Sequence, residues 1–176
     1  SSATRGTRLQ ERDKHWTEKH VHEMTERDWR IVREDFNISI QGAGHNIPPL
    51  RSWQEGRLAP EIERYLVSKF EEPTPIQRQV IPLAMHSIDT IGLAETGSGK
   101  TMAYVVPIVD KIMQLRASNA PSVALHGPYA MIIVPTRELA QQIELAVKPI
   151  IRNLMMTVLV GGHRVEEQSW AMRNGA

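Results

Sequence analysis

The sequence contains no cysteine. That excludes a disulfide framework and any thiolate metal site, and it fits a reducing compartment. Aromatic residues are sparse, at 5% of the chain, with two phenylalanines and three tyrosines. Neither sign of charge dominates, because 21 Lys and Arg against 20 Asp and Glu leave a net charge of +1. The chain is no polycation, so any nucleic-acid surface has to be local. There is no long apolar run. The amino end has no stretch that could serve as a secretory leader, and nothing in the sequence is long enough to span a bilayer. A soluble protein with no membrane association is expected. The chain begins without methionine, and 174–176 falls inside what reads as continuing structure, so a piece of a longer protein is expected.

What remains is 176 residues, enough for one ordinary domain with its own core and some extra chain. Two textures divide it. Residues 1–50 are polar, with matched acidic and basic side chains, scattered tryptophans (Trp16, Trp29) and few aliphatic clusters. This segment reads as an irregular or partly helical arm without a core of its own. It closes on a glycine and proline linker, Gln41-Gly42-Ala43-Gly44-His45-Asn46-Ile47-Pro48-Pro49. His15, His20 and His22 lie close together, but their spacing matches no ligand pattern and they read as a surface cluster.

From 51 to 176 the pattern is regular. Pro60 opens a helix with Ile62, Tyr65 and Leu66 on one face. Pro73-Thr74-Pro75 interrupts it. Thr74 then caps a second helix that starts at Pro75 and turns Ile76, Val80 and Ile81 inward. Three short apolar runs follow, at 88–93, 129–134 and 156–160. Near-continuous apolar runs suit parallel strands buried on both faces. Each precedes a helical pattern, from 100 to about 115, from 137 to about 153 and from about 165 onward. Alternating strands and helices imply an α/β fold, a parallel sheet flanked by helices with right-handed crossovers. Pro107 and Pro149 should each bend or shorten their helix.

Between the first strand pattern and its helix lies Ala94-Glu95-Thr96-Gly97-Ser98-Gly99-Lys100-Thr101. Consecutive backbone N–H groups around Gly97-Ser98-Gly99 can point into one concavity and hold phosphate oxygens. Glycine permits the positive φ and the close backbone approach, and the helix N-terminus favours an anion. Lys100 supplies a point charge to the outer phosphates, and Thr101 offers its hydroxyl to magnesium. Ala94 stands where the strict phosphate-loop pattern has glycine. A bare strand-to-helix glycine turn with a surface lysine is the plain alternative. The strand before, the helix after and the Gly-Ser-Gly-Lys-Thr run favour a nucleoside triphosphate.

Further motifs flank the loop. Glu72-Pro73-Thr74-Pro75-Ile76-Gln77, with Phe70 just before and Trp53 upstream, resembles the Q motif of DEAD-box RNA helicases. Pro135-Thr136-Arg137-Glu138-Leu139-Ala140-Gln141-Gln142 is similar to their motif Ia, and Gly161-Gly162 to their GG motif. All occur in the family's order, and the family commonly has alanine at the position of Ala94. The resemblance covers about 53–176. It implies a P-loop, RecA-like lobe, here incomplete, that binds ATP with Mg2+. Gln77 can donate and accept at once, which suits adenine and disfavours guanine. The resemblance implies this role for Gln77, a base-covering role for Phe70 and support from Trp53 and Thr74; the backbone carbonyl of Glu72 is a further candidate. Lys100 and Thr101 are the candidate catalytic positions. Pro135, Thr136, Arg137, Gly161 and Gly162 are implied to grip the RNA sugar-phosphate backbone, independent of sequence.

The arm narrows the subgroup. His15-Trp16, Glu23-Met24-Thr25-Glu26-Arg27-Asp28-Trp29-Arg30-Ile31, Arg33-Glu34-Asp35 and Ile47-Pro48-Pro49-Leu50-Arg51-Ser52-Trp53 are similar to the segment before the helicase core in the spliceosomal member of the U5 small nuclear ribonucleoprotein. The resemblance implies a nuclear protein that remodels an RNA duplex at the 5′ splice site. No Asp-Glu-Ala-Asp tetrad occurs in the sequence. Phosphoryl transfer needs an acid on the metal and a group to orient water, so the 176 residues are expected to bind ATP at most, without hydrolysing it. Two other classes compete. In one, the arm docks on ribonucleoprotein partners and the lobe is a passenger. In the other, the chain is a different P-loop ATPase, against which the Q motif and the 135–142 run speak.

Overall fold

The computed structural model describes residues 14–118, 128–151, 154–162 and 165–173. Six helices carry the architecture: α1 (Glu26–Asp35), α2 (Pro60–Lys69), α3 (Pro75–Met85), α4 (Lys100–Ala117), α5 (Arg137–Val147) and α6 (Val165–Arg173), with short 3-10 turns in the arm and at Trp53–Gly56.

Local chemistry explains the helix starts. Thr25 accepts from the Asp28 N–H at 3.3 Å, while the Asp28 carboxylate accepts from the Thr25 N–H at 2.8 Å, closing a reciprocal cap on α1. Pro60 and Pro75 stand at the first positions of α2 and α3, where a missing N–H costs nothing. Thr136 caps α5 by accepting from the Leu139 N–H at 3.2 Å. The two helical prolines behave differently. α4 runs unbroken through buried Pro107, whereas α5 ends at Val147, two residues before Pro149 and short of the expected end.

The core lies among the helices. Ile62 and Leu66 of α2, Ile81 of α3, Val105, Val106 and Val109 of α4, and Ile143 and Val147 of α5 are buried around Trp53. α3 and α4 make the most extensive helix–helix contact. Asp110, fully buried on α4, accepts from the Ala59 N–H at 2.6 Å and from the Gln114 amide at 2.5 Å. It thereby pins the start of α2 to the middle of α4.

The expected parallel sheet is not formed among the described residues. Segments 88–93, 129–134 and 156–160 contain no strand there, and no backbone hydrogen bond joins any two of them. Gly92 passes over Ile76 and Val80 of α3, and Val134 and Met156 touch the core. Ile91, Leu93 and Ile133 point away and are 92%, 91% and 86% exposed. Residues 89–93 and 129–133 are exposed throughout. A parallel sheet is stable when both faces are covered, so the ladder lacks this driving force.

The arm lies against the helical lobe as a docked layer. Arg51 donates to the carbonyls of Trp16 at 2.9 Å and Lys19 at 2.7 Å, and it holds Glu55 with two donors. Arg33 of α1 donates to Gln79 at 3.0 Å, to the His45 carbonyl at 3.0 Å and to the Ile47 carbonyl at 2.9 Å. A buried Lys19–Asp28 pair at 2.8 Å ties the first turns to α1. Trp16 donates to Asp35 at 2.6 Å and its ring meets Phe36. The arm's aromatic residues are thus used within the molecule. Apolar content alone did not reveal this, because guanidinium hydrogen bonds to carbonyls do most of the attaching. His20 and His22 stack with their ring centroids 5.6 Å apart. Among the described residues no helix is long and apolar enough to cross a membrane.

Candidate nucleotide and nucleic-acid sites

Gly97 and Gly99 adopt φ of 82° and 88°, the left-handed region that a glycine enters without a Cβ penalty. Their turn delivers the chain to the N-terminus of α4, an 18-residue helix that begins at Lys100. Lys100 donates to the carbonyls of Ala94 and Glu95, both at 2.5 Å, so its ammonium is folded over its own loop. Glu95, Thr96 and Gly97 are exposed, and Thr101 occupies the second helical position, half-buried.

Gln77 is buried on the first turn of α3 and reaches this loop. Its Oε1 accepts from the Thr74 N–H at 2.9 Å and its Nε2 donates to the Gly99 carbonyl at 3.0 Å. An amide carries two donor hydrogens and two acceptor lone pairs, so these two bonds use one of each. A Cβ at Gly99 would stand 2.4 Å from Gln77 Nε2 and 3.1 Å from Thr74 Oγ1. Phe70 follows α2 and is 37% exposed. Its carbonyl accepts from the indole N–H of buried Trp53 at 3.2 Å, and the two rings lie 6.3 Å apart. Trp53 therefore backs Phe70 and also fills the core. The Glu72 side chain pairs with Arg78 at 2.5 Å, which anchors the backbone whose carbonyl the sequence nominated.

The residues fit a nucleoside triphosphate. Ser98 Oγ is buried without a protein partner, the glycines leave the backbone open to a close anion, and the Lys100 ammonium is within reach of the same concavity. Magnesium has Thr101 as a nominated ligand. No group of three or more His, Cys, Asp or Glu that could hold a metal occurs among the described residues.

The second site lies at the start of α5. Pro135, Thr136 and Arg137 are exposed, as are Gly161 and Gly162. Arg137 Nη2 donates to the Gly161 carbonyl in a very short contact, which brings together two motifs that lie 24 residues apart. Gly162 has φ of 84°, and a Cβ there would approach Arg137 Nη2 to 3.0 Å. Gln168 of α6 pairs with both backbone groups of Val160, accepting from its N–H at 2.9 Å and donating to its carbonyl at 3.2 Å. This fixes the turn from the other side. The cluster offers a guanidinium, a helix N-terminus and bare glycine backbone, groups that hold phosphates.

Reading the sequence missed Arg33, Arg51, Arg78 and Gln168. Arg78 had a signal. It sits at i, i+3 and i+4 spacing with Ile81 and Pro82, on the buried side of α3. A charge on an apolar face calls for partners, and Arg78 finds the carbonyls of Leu50 and Arg51, the Glu72 carboxylate and the Phe36 ring. Burial pushes its pKa down and Glu72 opposes that shift. Gln168 carried no signal in isolation, because an amide that mimics a backbone neighbour is recognisable only once the turn exists.

The DEAD/DEAH box helicase family model matches residues 74–175. A pre-mRNA-splicing ATP-dependent RNA helicase prp28 from Aspergillus oryzae is 50% identical over 170 residues, covering 93% of this chain and 21% of that protein. PRP28 of Cryptococcus neoformans is 49% identical over 168 residues, covering 93% and 22%. Among solved structures, the yeast DEAD-box splicing factor Prp28 superposes with a TM-score of 0.77 at 38% identity, and the RNA-helicase Prp28 of Chaetomium thermophilum bound to ADP with 0.73 at 43%. Each match covers 92% of this chain and 39% of the solved chain. The chain thus spans about a fifth of the sequence relatives and about two-fifths of the solved ones.

Proposed function

The chain belongs to the DEAD/DEAH box helicase family, and from that premise we propose that it forms the ATP-gripping and RNA-gripping part of a RecA-like lobe in an ATP-dependent RNA helicase of pre-mRNA splicing. The observation that carries the reading is the placement of Gln77. It is buried, braced on Thr74 and seated on Gly99, so a base reader and a phosphate loop share one edge.

Each residue has a distinct task. Phe70 covers the adenine face while Gln77 uses its remaining donor and acceptor on the adenine edge, with the Glu72 carbonyl alongside. The N–H groups from Thr96 to Gly99 surround the phosphates. Lys100 releases the carbonyls of Ala94 and Glu95 and turns to the outer phosphate oxygens. Mg2+, when bound, adds charge that neutralises the β- and γ-oxygens, and Thr101 would hold it. Pro135, Thr136, Arg137, Gly161 and Gly162 hold the RNA backbone without reading bases.

The same reading treats 88–93, 129–134 and 156–160 as strands of a parallel sheet whose exposed side chains the rest of the lobe covers. It assigns 1–50 as arm and 51–176 as the first part of that lobe. The protein works in the nucleus on RNA duplexes at the 5′ splice site. Ribonucleoprotein partners meet the outward face of α1, where Arg27, Arg30 and Glu34 are exposed. The test is competition between ATP and GTP for the chain, before and after Gln77→Ala. ATP preference that collapses on mutation is expected. Indifference to both the base and the mutation would sink the adenine assignment.

A further inference from the structure

We propose that the N-terminal arm is a working part of the base pocket, with Arg33, Phe36 and Arg51 as positioning residues that set the aim of Gln77 and Phe70. This rests on the reading of Gln77 as the adenine partner.

Gln77, Arg78 and Gln79 are consecutive, polar and buried on α3. Successive residues of a helix point about 100° apart, so the three side chains leave α3 in different directions. Gln77 goes to the phosphate loop. Arg78 goes to the carbonyls of Leu50 at 3.1 Å and Arg51 at 2.5 Å, under the Phe36 ring at 3.8 Å. Gln79 goes to the Ile47 carbonyl at 3.0 Å and receives Arg33 at 3.0 Å. The Leu50 N–H also donates to the Arg78 carbonyl at 2.8 Å. The first turns of α3 are thus clamped between the arm and the nucleotide loop.

The other wall of the pocket hangs from the same segment. Phe70 is held by the Trp53 indole, and Trp53 follows directly on Arg51 and Ser52. Arg51 is in turn held to the arm through the Trp16 and Lys19 carbonyls, with its guanidinium 5.9 Å from the Trp29 ring. Both base-contacting groups therefore connect to the arm through 50–53, one by Arg78 and one by Trp53. Hydrogen bonds weaken steeply with angle, and Gln77 has only one donor and one acceptor left. A small rotation of α3 spoils the pairing to adenine and leaves the phosphate loop, anchored on α4, in place.

The experiment uses the full 176-residue chain and compares affinities for ATP, GTP and inorganic triphosphate with magnesium, by displacement of a fluorescent adenine nucleotide. Arg33→Ala, which removes the hydrogen bond to Gln79, and Phe36→Leu, which removes the ring over the Arg78 guanidinium, should each weaken ATP about five- to tenfold, with triphosphate unchanged and the ATP-to-GTP ratio reduced. Phe36→Leu keeps an apolar side chain, so it serves if Arg33→Ala does not fold. Arg33→Lys should recover part of the loss. An equal fall for ATP and triphosphate would mean general loosening and overturn the proposal, as would no change in either. Gln77→Ala separates the two levels. If it lowers the ratio and the arm variants do not, the coupling fails and the adenine reading survives. If Gln77→Ala leaves the ratio unchanged, the adenine reading fails and the coupling with it.

Discussion

Gly99 meets three demands with one absent side chain. Its φ of 88° turns the loop into α4, its carbonyl receives Gln77, and its missing Cβ leaves that amide in place. Gly99→Ala sets a methyl group 2.4 Å from Gln77 Nε2. It should reduce ATP binding about tenfold through the displaced amide, and cost about 1–2 kcal/mol of stability through the left-handed backbone; isothermal titration of the folded variant checks the first and a urea titration the second. Asp110 shows a different kind of dependence. Its carboxylate is fully buried and answers the Ala59 N–H that starts α2. Asp110→Ala leaves that donor without its partner and should cost about 1.5–3 kcal/mol in a urea titration. Asp110→Asn should cost less. The phosphate-loop residues could be nominated from sequence because their chemistry is local. Asp110 could not, since an aspartate in an amphipathic helix reads as solvated until α2 is packed against it.

At the scale of elements, the first turns of the arm are latched to α1 by charge. Burial raises the pKa of Asp28, but the Lys19 and Thr25 hydrogen bonds outweigh it, and the carboxyl lies below its ordinary value. A depressed carboxyl contributes stability that is fully present above the unfolded value and is lost as pH falls through the folded one. The first turns of the arm should therefore stay fixed to α1 through neutral and mildly acidic pH and come loose only below the ordinary aspartate range. Amide shifts of α1 followed by NMR should show that inflection, and Lys19→Met should move it upward. A Lys19→Met titration that matches the unaltered chain would refute the latch. The turn at Gly161-Gly162 is held comparably, by Arg137 on one side and Gln168 on the other. Arg137→Ala should weaken RNA binding about tenfold whatever the RNA sequence, reduce the salt dependence by about one charge and leave ATP affinity unchanged. A sequence-selective loss would contradict backbone recognition. The helices themselves were legible because caps and prolines act locally. The three apolar runs were equally clear as runs, but a run says nothing about what pairs with it.

At the scale of the whole molecule, the described residues form a helical lobe with a docked arm and exposed apolar side chains along the strand-like runs. ATP hydrolysis demands an acid on the metal and a water-orienting group, and the sequence contains no Asp-Glu-Ala-Asp tetrad to supply them. The isolated chain should bind ATP and release no phosphate above background even with RNA present; RNA-stimulated turnover in a phosphate-release assay would overturn this. The sequence alone determined the helix starts and the family, and it nominated the phosphate loop and the adenine reader, because each motif rests on residues within a few positions of one another. Tertiary structure decided the rest. Among the described residues it shows no ladder between the strand-like runs. It joined Arg137 to Gly161, and it laid the arm behind Gln77 and Phe70 through Arg33, Phe36, Arg51 and Arg78. Those contacts link residues up to 46 positions apart. No periodicity reports them, because a buried guanidinium chooses carbonyls by geometry that exists only after the chain has folded.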